Sequence, residues 1–172
     1  MNKKIRYRNP VVRDTHPELP IDPDVVQPGT YRWPPHFTPS FALTVFIGGC
    51  AGAYARYRVN LQVPTPADTL PVATIAVNLL GAFLLGFLLE GLARLGKDKG
   101  ARRTMRLGIG TGFIGAFTTY STFAVEADQL LRHGASITAI LYVAISIVGG
   151  LLLSAAGIQA AGKHHKRRMA QR

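Results

Sequence analysis

Between Gly108 and Phe123 the chain reads GIGTGFIGAFTTYSTF, and glycines and hydroxyl residues crowd positions 108–122, among them Gly108, Gly110, Gly112, Gly115, Thr118, Thr119, Ser121 and Thr122. Glycines weaken a helix. Where a helix opens, its carbonyls can hold a cation and its free amides can face an anion. Hydroxyls add donors that can take the place of an ion's water. Further polar groups recur at helical spacing elsewhere: Thr74, Asn78 and Gly81 at i, i+4 and i+7, and Tyr142 and Ser146 at i and i+4. None of this calls for a nucleophile or an acid–base pair. Glu126 and Asp128 are two apart and point to different faces, so paired-carboxylate catalysis is not expected and the chain does not read as an enzyme.

The elements that must position these groups are four apolar runs, 41–60, 71–93, 107–131 and 137–161. Each is about 20 residues or slightly longer, enough for a helix to cross a bilayer core of roughly 30 Å. The sequence therefore predicts an all-α membrane protein with four transmembrane helices, the third broken near the bilayer midplane. Small residues also serve as packing contacts between membrane helices. Their clustering at mid-membrane depth, where non-helical backbone survives only against protein or a hydrated cavity, favours an ion site. The GTGFIG motif spells a dinucleotide fingerprint, but no strand precedes it and no βαβ unit surrounds it.

Residues 1–40 contain eight of the eleven prolines and mixed charge, and read as a disordered tail. Residues 163–172 form a second, basic tail, also expected to be disordered. The N-terminus is charged with no apolar run behind it, unlike a signal peptide. The net charge of +11 does not point to nucleic acid, because the basic residues flank the apolar runs and form no single stripe. Cys50 stands alone inside the first run, which excludes a disulfide framework.

With four spans, both tails and the 94–106 loop share one side. That side carries twelve basic residues (Arg32, Arg94, Lys97, Lys99, Arg102, Arg103, Arg106, Lys163, Lys166, Arg167, Arg168 and Arg172), besides five in the distal N-terminal tail. The other side has three: Arg56, Arg58 and Arg132. By the positive-inside rule both termini should be cytoplasmic, in a plasma or inner membrane.

At these residues the sequence resembles the CrcB or Fluc family of fluoride channels. The matching stretches are GGCAGAYARY (48–57), ATIAVNLLGAFLLG (73–86) and GTGFIGAFTTYSTFAVE (110–126), within a resemblance over about 41–160. It implies passive fluoride export that lowers fluoride toxicity, through an antiparallel dimer of four-helix subunits with pores at the interface. It also implies a structural sodium ion held by the backbone carbonyls of Gly115 and Thr118. Tyr120 and Phe123 would turn electropositive ring edges to fluoride. Asn78, with Thr74 on its face, matches the family's pore asparagine. Ser121, Thr122, Tyr142 and Ser146 would complete the polar lining, and Arg56 and Glu126 match charged positions at the pore mouths.

Two features depart from the family pattern. Tyr120 stands where the family usually has phenylalanine. The charge bias is also too strong for a chain that inserts in both orientations, so a heterodimer with a related, inverted subunit is expected over a homodimer. The alternative function, a small multidrug-resistance-type proton-coupled exporter, would need a carboxylate deep in the first run, where FALTVFIGGCAGAYA has none. A membrane scaffold held by small-residue contacts would leave the polar third run without a purpose.

Overall fold

A computed structural model describes the backbone of residues 39–66 and 69–170, with side chains as far as His164. All regular structure among the described residues is helical: α1 (Pro39–Gln62), α2 (Val72–Arg94), α3 (Ala101–Met105), a π-helical segment (Arg106–Ile114), α4 (Gly115–Phe117), α5 (Ser121–Arg132) and α6 (Ser136–Ala170). Two of these, Val72–Arg94 and Ser136–His164, are long and apolar enough to cross a membrane. α1 has the length, but its second half, AYARYRVNLQ, mixes tyrosines, arginines and amides with its aliphatics. The run expected as one span over 107–131 is divided among three elements, the π-helical segment, α4 and α5.

Helix packing follows the small residues. A Cβ built on Gly48 would overlap the Gly108 carbonyl oxygen, and one on Gly52 would overlap that of Phe113. A Cβ on Gly112 would lie 2.7 Å from the Val45 oxygen. Gly48/Gly52 and Gly108/Gly112 thus form facing G-x-x-x-G pairs that bring α1 and the π-helical segment into backbone contact. The contacts advance together along both chains, so these elements run parallel.

α2 and α6 pair in the same way. Gly86 abuts the Ser154 backbone, Gly157 abuts that of Phe83, and Gly149 faces Leu79. These helices too are parallel. α5 closes over them on a core of Ile75, Leu130, Ala139 and Tyr142, with Phe123 and Leu79 packed against it.

The ends of the elements show how the sequence acts. The α2–α3 turn uses Gly96 and Gly100 at positive φ (110° and 56°), and Asp98 is gripped by Arg106 at 2.8 Å and Arg103 at 3.6 Å. α6 was expected to end near residue 161, ahead of a disordered tail. Its backbone instead stays helical to Ala170, since lysine and arginine are good helix formers. The proline-rich tail expected over 1–40 falls outside the described residues, except for its last two, which begin α1.

Candidate functional site

Helical structure stops at Phe117 and resumes at Ser121. At Thr118 the backbone swings to φ −78°, ψ 160°, an extended conformation. Two side chains hold it there. The Asn78 carboxamide grips Thr119 from both sides: its Nδ2 donates to the Thr119 carbonyl at 2.9 Å, and its Oδ1 accepts from the Thr119 amide at 2.8 Å. The Thr119 hydroxyl then accepts from the Thr122 amide at 3.2 Å, which gives a first-turn donor of α5 a partner. In an unbroken helix the Thr119 amide would bond the Gly115 carbonyl, and the Thr122 amide that of Thr118. Both donors are diverted, so the Gly115 and Thr118 carbonyls lose these helical partners, and the Thr118 hydroxyl approaches the Gly115 oxygen at 3.5 Å.

Other contacts seat this opening. The Thr118 hydroxyl turns back to the Ile114 carbonyl at 3.0 Å. Its methyl fills the space that a side chain at Gly81 would occupy. The Arg56 Nε reaches across to the Ala116 carbonyl at 3.1 Å, placing a cation at the carbonyl end of α4, where the peptide dipoles favour it.

A cavity of about 480 Å³ lies beside the opening, and its lining includes Asn78, Gly115, Thr118, Tyr120, Phe123 and Ser146. The Tyr120 and Phe123 rings are 6.1 Å apart between centroids, and Tyr120 is 81% exposed on this single chain. The Ser146 Oγ is buried without a hydrogen-bond partner. Ser121 and Thr122 flank the Thr119 hydroxyl at 3.4 and 3.0 Å.

Thr74, Tyr142 and Glu126 form a separate cluster behind Phe123. Thr74 Oγ1 donates to Glu126 Oε1 at 3.0 Å and the Tyr142 hydroxyl to Oε2 at 2.7 Å. The structure therefore brings six of the expected residues to one cavity, sets three behind it, and directs Arg56 to the broken backbone.

Thr119 and Gly81 stand out by residue type and spacing, but their roles do not follow from it. Thr119 acts through its backbone and as an acceptor for the Thr122 amide, neither of which its residue type alone signals. Gly81 acts by lacking a side chain, and only the fold reveals what sits against it.

Among the described residues no group of three or more His, Cys, Asp or Glu side chains lies together. A cation here would rest on neutral oxygens, and the Gly115 and Thr118 carbonyls, parted from their helical amides, fit that need. They are hard donors suited to an alkali ion and poorly suited to a soft metal.

Apolar helices around an opened backbone and a hydroxyl-bearing cavity define a small membrane transport protein. Comparison with known proteins narrows the class. The family model described as CrcB-like protein, Camphor Resistance (CrcB), matches residues 43–158, and the chain belongs to this family. It is 46% identical over 110 residues to "Fluoride-specific ion channel FluC 1" of Cutibacterium acnes, covering 64% of this chain and 77% of the relative. It is 44% identical over 126 residues to "Fluoride-specific ion channel FluC 2" of Leifsonia xyli, covering 73% and 86%. A "Fluoride-specific ion channel FluC 1" of Bacillus cereus is 45% identical over 116 residues, covering 67% and 78%.

Proposed function

We propose that this chain is a subunit of a fluoride-selective channel that lets fluoride leave the cytoplasm down its gradient. The observation that carries the reading is the backbone opening at Thr118, held by Asn78 beside a cavity lined by two aromatic rings. Fluoride is small and strongly hydrated, so a selective path must replace its water with donors. The Ser146 hydroxyl is an unengaged donor on the cavity wall. The amide proton that Asn78 does not share with Thr119 and the ring edges of Tyr120 and Phe123 add to it.

Residues 41–162 are the channel domain, flanked by cytoplasmic tails over 1–40 and 163–172. The parallel pairing of α1 with the π-helical segment, and of α2 with α6, is what four alternating crossings require. A structural sodium ion at the Gly115 and Thr118 carbonyls supplies charge opposite the anion path. Two ligands are too few for an alkali ion, so the other oxygens come from a second subunit. The exposed apolar side chains of α1 and α6, among them Phe46, Ile47, Ile147 and Leu151, face lipid or that subunit.

Twelve basic residues against three fix one insertion, with both termini cytoplasmic, and the partner is a related chain inserted the other way. Fluoride-electrode efflux from liposomes tests the reading, with this chain alone and with a family member of opposite charge bias. Rapid fluoride release from the pair, with chloride retained, is expected. Proton-driven cation exchange, or no flux from the pair, would overturn it.

A further inference from the structure

Positive charge gathers at one end of the bundle. The Arg103 guanidinium lies over the Phe41 ring near the start of α1, 6.0 Å from its centre. Gly162, late in α6, abuts the Arg94 side chain at the end of α2. The start of α1, the 94–106 turn and the end of α6 therefore meet there. Within residues 39–164 this end carries seven lysines and arginines against two acids, Glu90 and Asp98.

The four arginines are engaged within the fold. Arg94 pairs with Glu90 at 2.5 Å, Arg103 and Arg106 grip Asp98, and Arg102 donates to the Leu95 carbonyl. The three lysines are not. Lys97, Lys99 and Lys163 are exposed, and their ammonium groups have no partner among the described residues. Free lysines are ordinary on a loop in water, but these stand among exposed apolar groups at a particular depth. Leu95 and Met105, on either side of Lys97 and Lys99, are 58% and 45% exposed. α2 has 23 residues, about 35 Å of helix, against a hydrocarbon core of roughly 30 Å. The turn that follows it thus lies at headgroup level. There a leucine and a methionine can enter the acyl boundary while lysines on flexible stems meet phosphate oxygens.

We propose that this end of the chain is a docking surface for anionic phospholipid headgroups, with Lys97, Lys99 and Lys163 on the phosphates and Leu95 and Met105 in the acyl boundary. The inference goes beyond the channel reading and rests on membrane insertion alone. A zwitterionic headgroup offsets its phosphate with its own cation, so five uncompensated positive charges select the anionic lipid. Arg106 both grips Asp98 and opens the π-helical segment. Bound lipid therefore steadies the element that leads to the Thr118 opening.

The test places the full chain in phosphatidylcholine vesicles, with spin-labelled phosphatidylglycerol and spin-labelled phosphatidylcholine as probes. The fraction of each label immobilised on the protein gives the preference between them. Phosphatidylglycerol should be favoured at low salt, and the preference should shrink as added sodium chloride screens the lysines. Each lysine near an anionic surface contributes about fivefold in binding. Lys97→Gln or Lys99→Gln alone should reduce the preference by about that factor, and the two together should abolish it. Arg58→Gln with Arg132→Gln removes the same charge from the opposite end and should leave it intact.

No preference in the wild type would overturn the proposal. Equal losses in the two double variants would also do so, because net charge alone would then explain the binding. A preference that emerges only when Asp14, Glu18, Asp22 and Asp24 are neutralised would give the surface to the chain's own acidic stretch and overturn the lipid assignment. Fluoride flux does not enter the readout, so failure here leaves the channel reading standing.

Discussion

Replacing Asn78 with leucine keeps its bulk and removes both bonds to Thr119, at 2.9 and 2.8 Å. Thr119 is 9% exposed, so water does not replace them. Each orphaned backbone group costs about 1–3 kcal/mol, or about 2–6 kcal/mol for the pair if the opening persists. The chain can recover part of this by returning the Thr119 amide to the Gly115 carbonyl, a bond worth about 1 kcal/mol. That closure takes back the Gly115 oxygen. Either branch impairs transport, by lowering stability or by dismantling the proposed cation site. Thermal unfolding in detergent and fluoride efflux from liposomes are the paired assays, with amide exchange at Thr119 to distinguish the branches. If Asn78→Leu unfolds like the wild type and conducts at the same rate, Asn78 does not hold the opening and the argument fails.

Gly81→Ala should push Thr118 aside, because the added carbon would overlap the Thr118 methyl; efflux should fall, and adding Thr118→Ser, which removes that methyl, should restore most of it. Failure of the double variant to recover would disconnect Gly81 from Thr118. Gly52→Ala drives a methyl into the Phe113 carbonyl and should destabilise the bundle by about 1–3 kcal/mol or more in detergent melting; an unchanged melting curve would contradict the close approach of α1. Gly115→Val should reduce flux more than Thr118→Ser, because Thr118 contributes its carbonyl and a valine at 115 intrudes on the cavity that Gly115 lines. The reverse order in efflux rates would count against the assigned cation site.

The helix positions were legible because they follow composition. The runs at 41–60 and 71–93 lie within two residues of Pro39–Gln62 and Val72–Arg94. The location of the opening was less so. Glycine was expected to loosen the backbone over 108–115, yet that stretch remains helical, widened to a π-helix, and its glycines serve contact with α1. The backbone opens just after them, where Asn78 and Thr119 supply replacement hydrogen bonds. One of those partners lies 41 residues away in sequence.

Arg56 shows the same limit. By residue type it belonged at a pore mouth, whereas its side chain reaches a carbonyl 60 residues away. Thr74, Asn78 and Tyr142 stood out as polar groups in apolar helices. Their division between the cavity and the Glu126 cluster depends on how α2, α5 and α6 meet, which no single periodicity encodes.

The most direct measurement is a high-resolution density map of the chain with the proposed inverted partner in lipid, in sodium buffer and again with sodium replaced by a bulky organic cation. The account predicts an opened third helix at Thr118 in sodium, with density between the Gly115 and Thr118 carbonyls that disappears on replacement. A helix continuous through Ser121, with lipid against Thr118 and Tyr120, would contradict it.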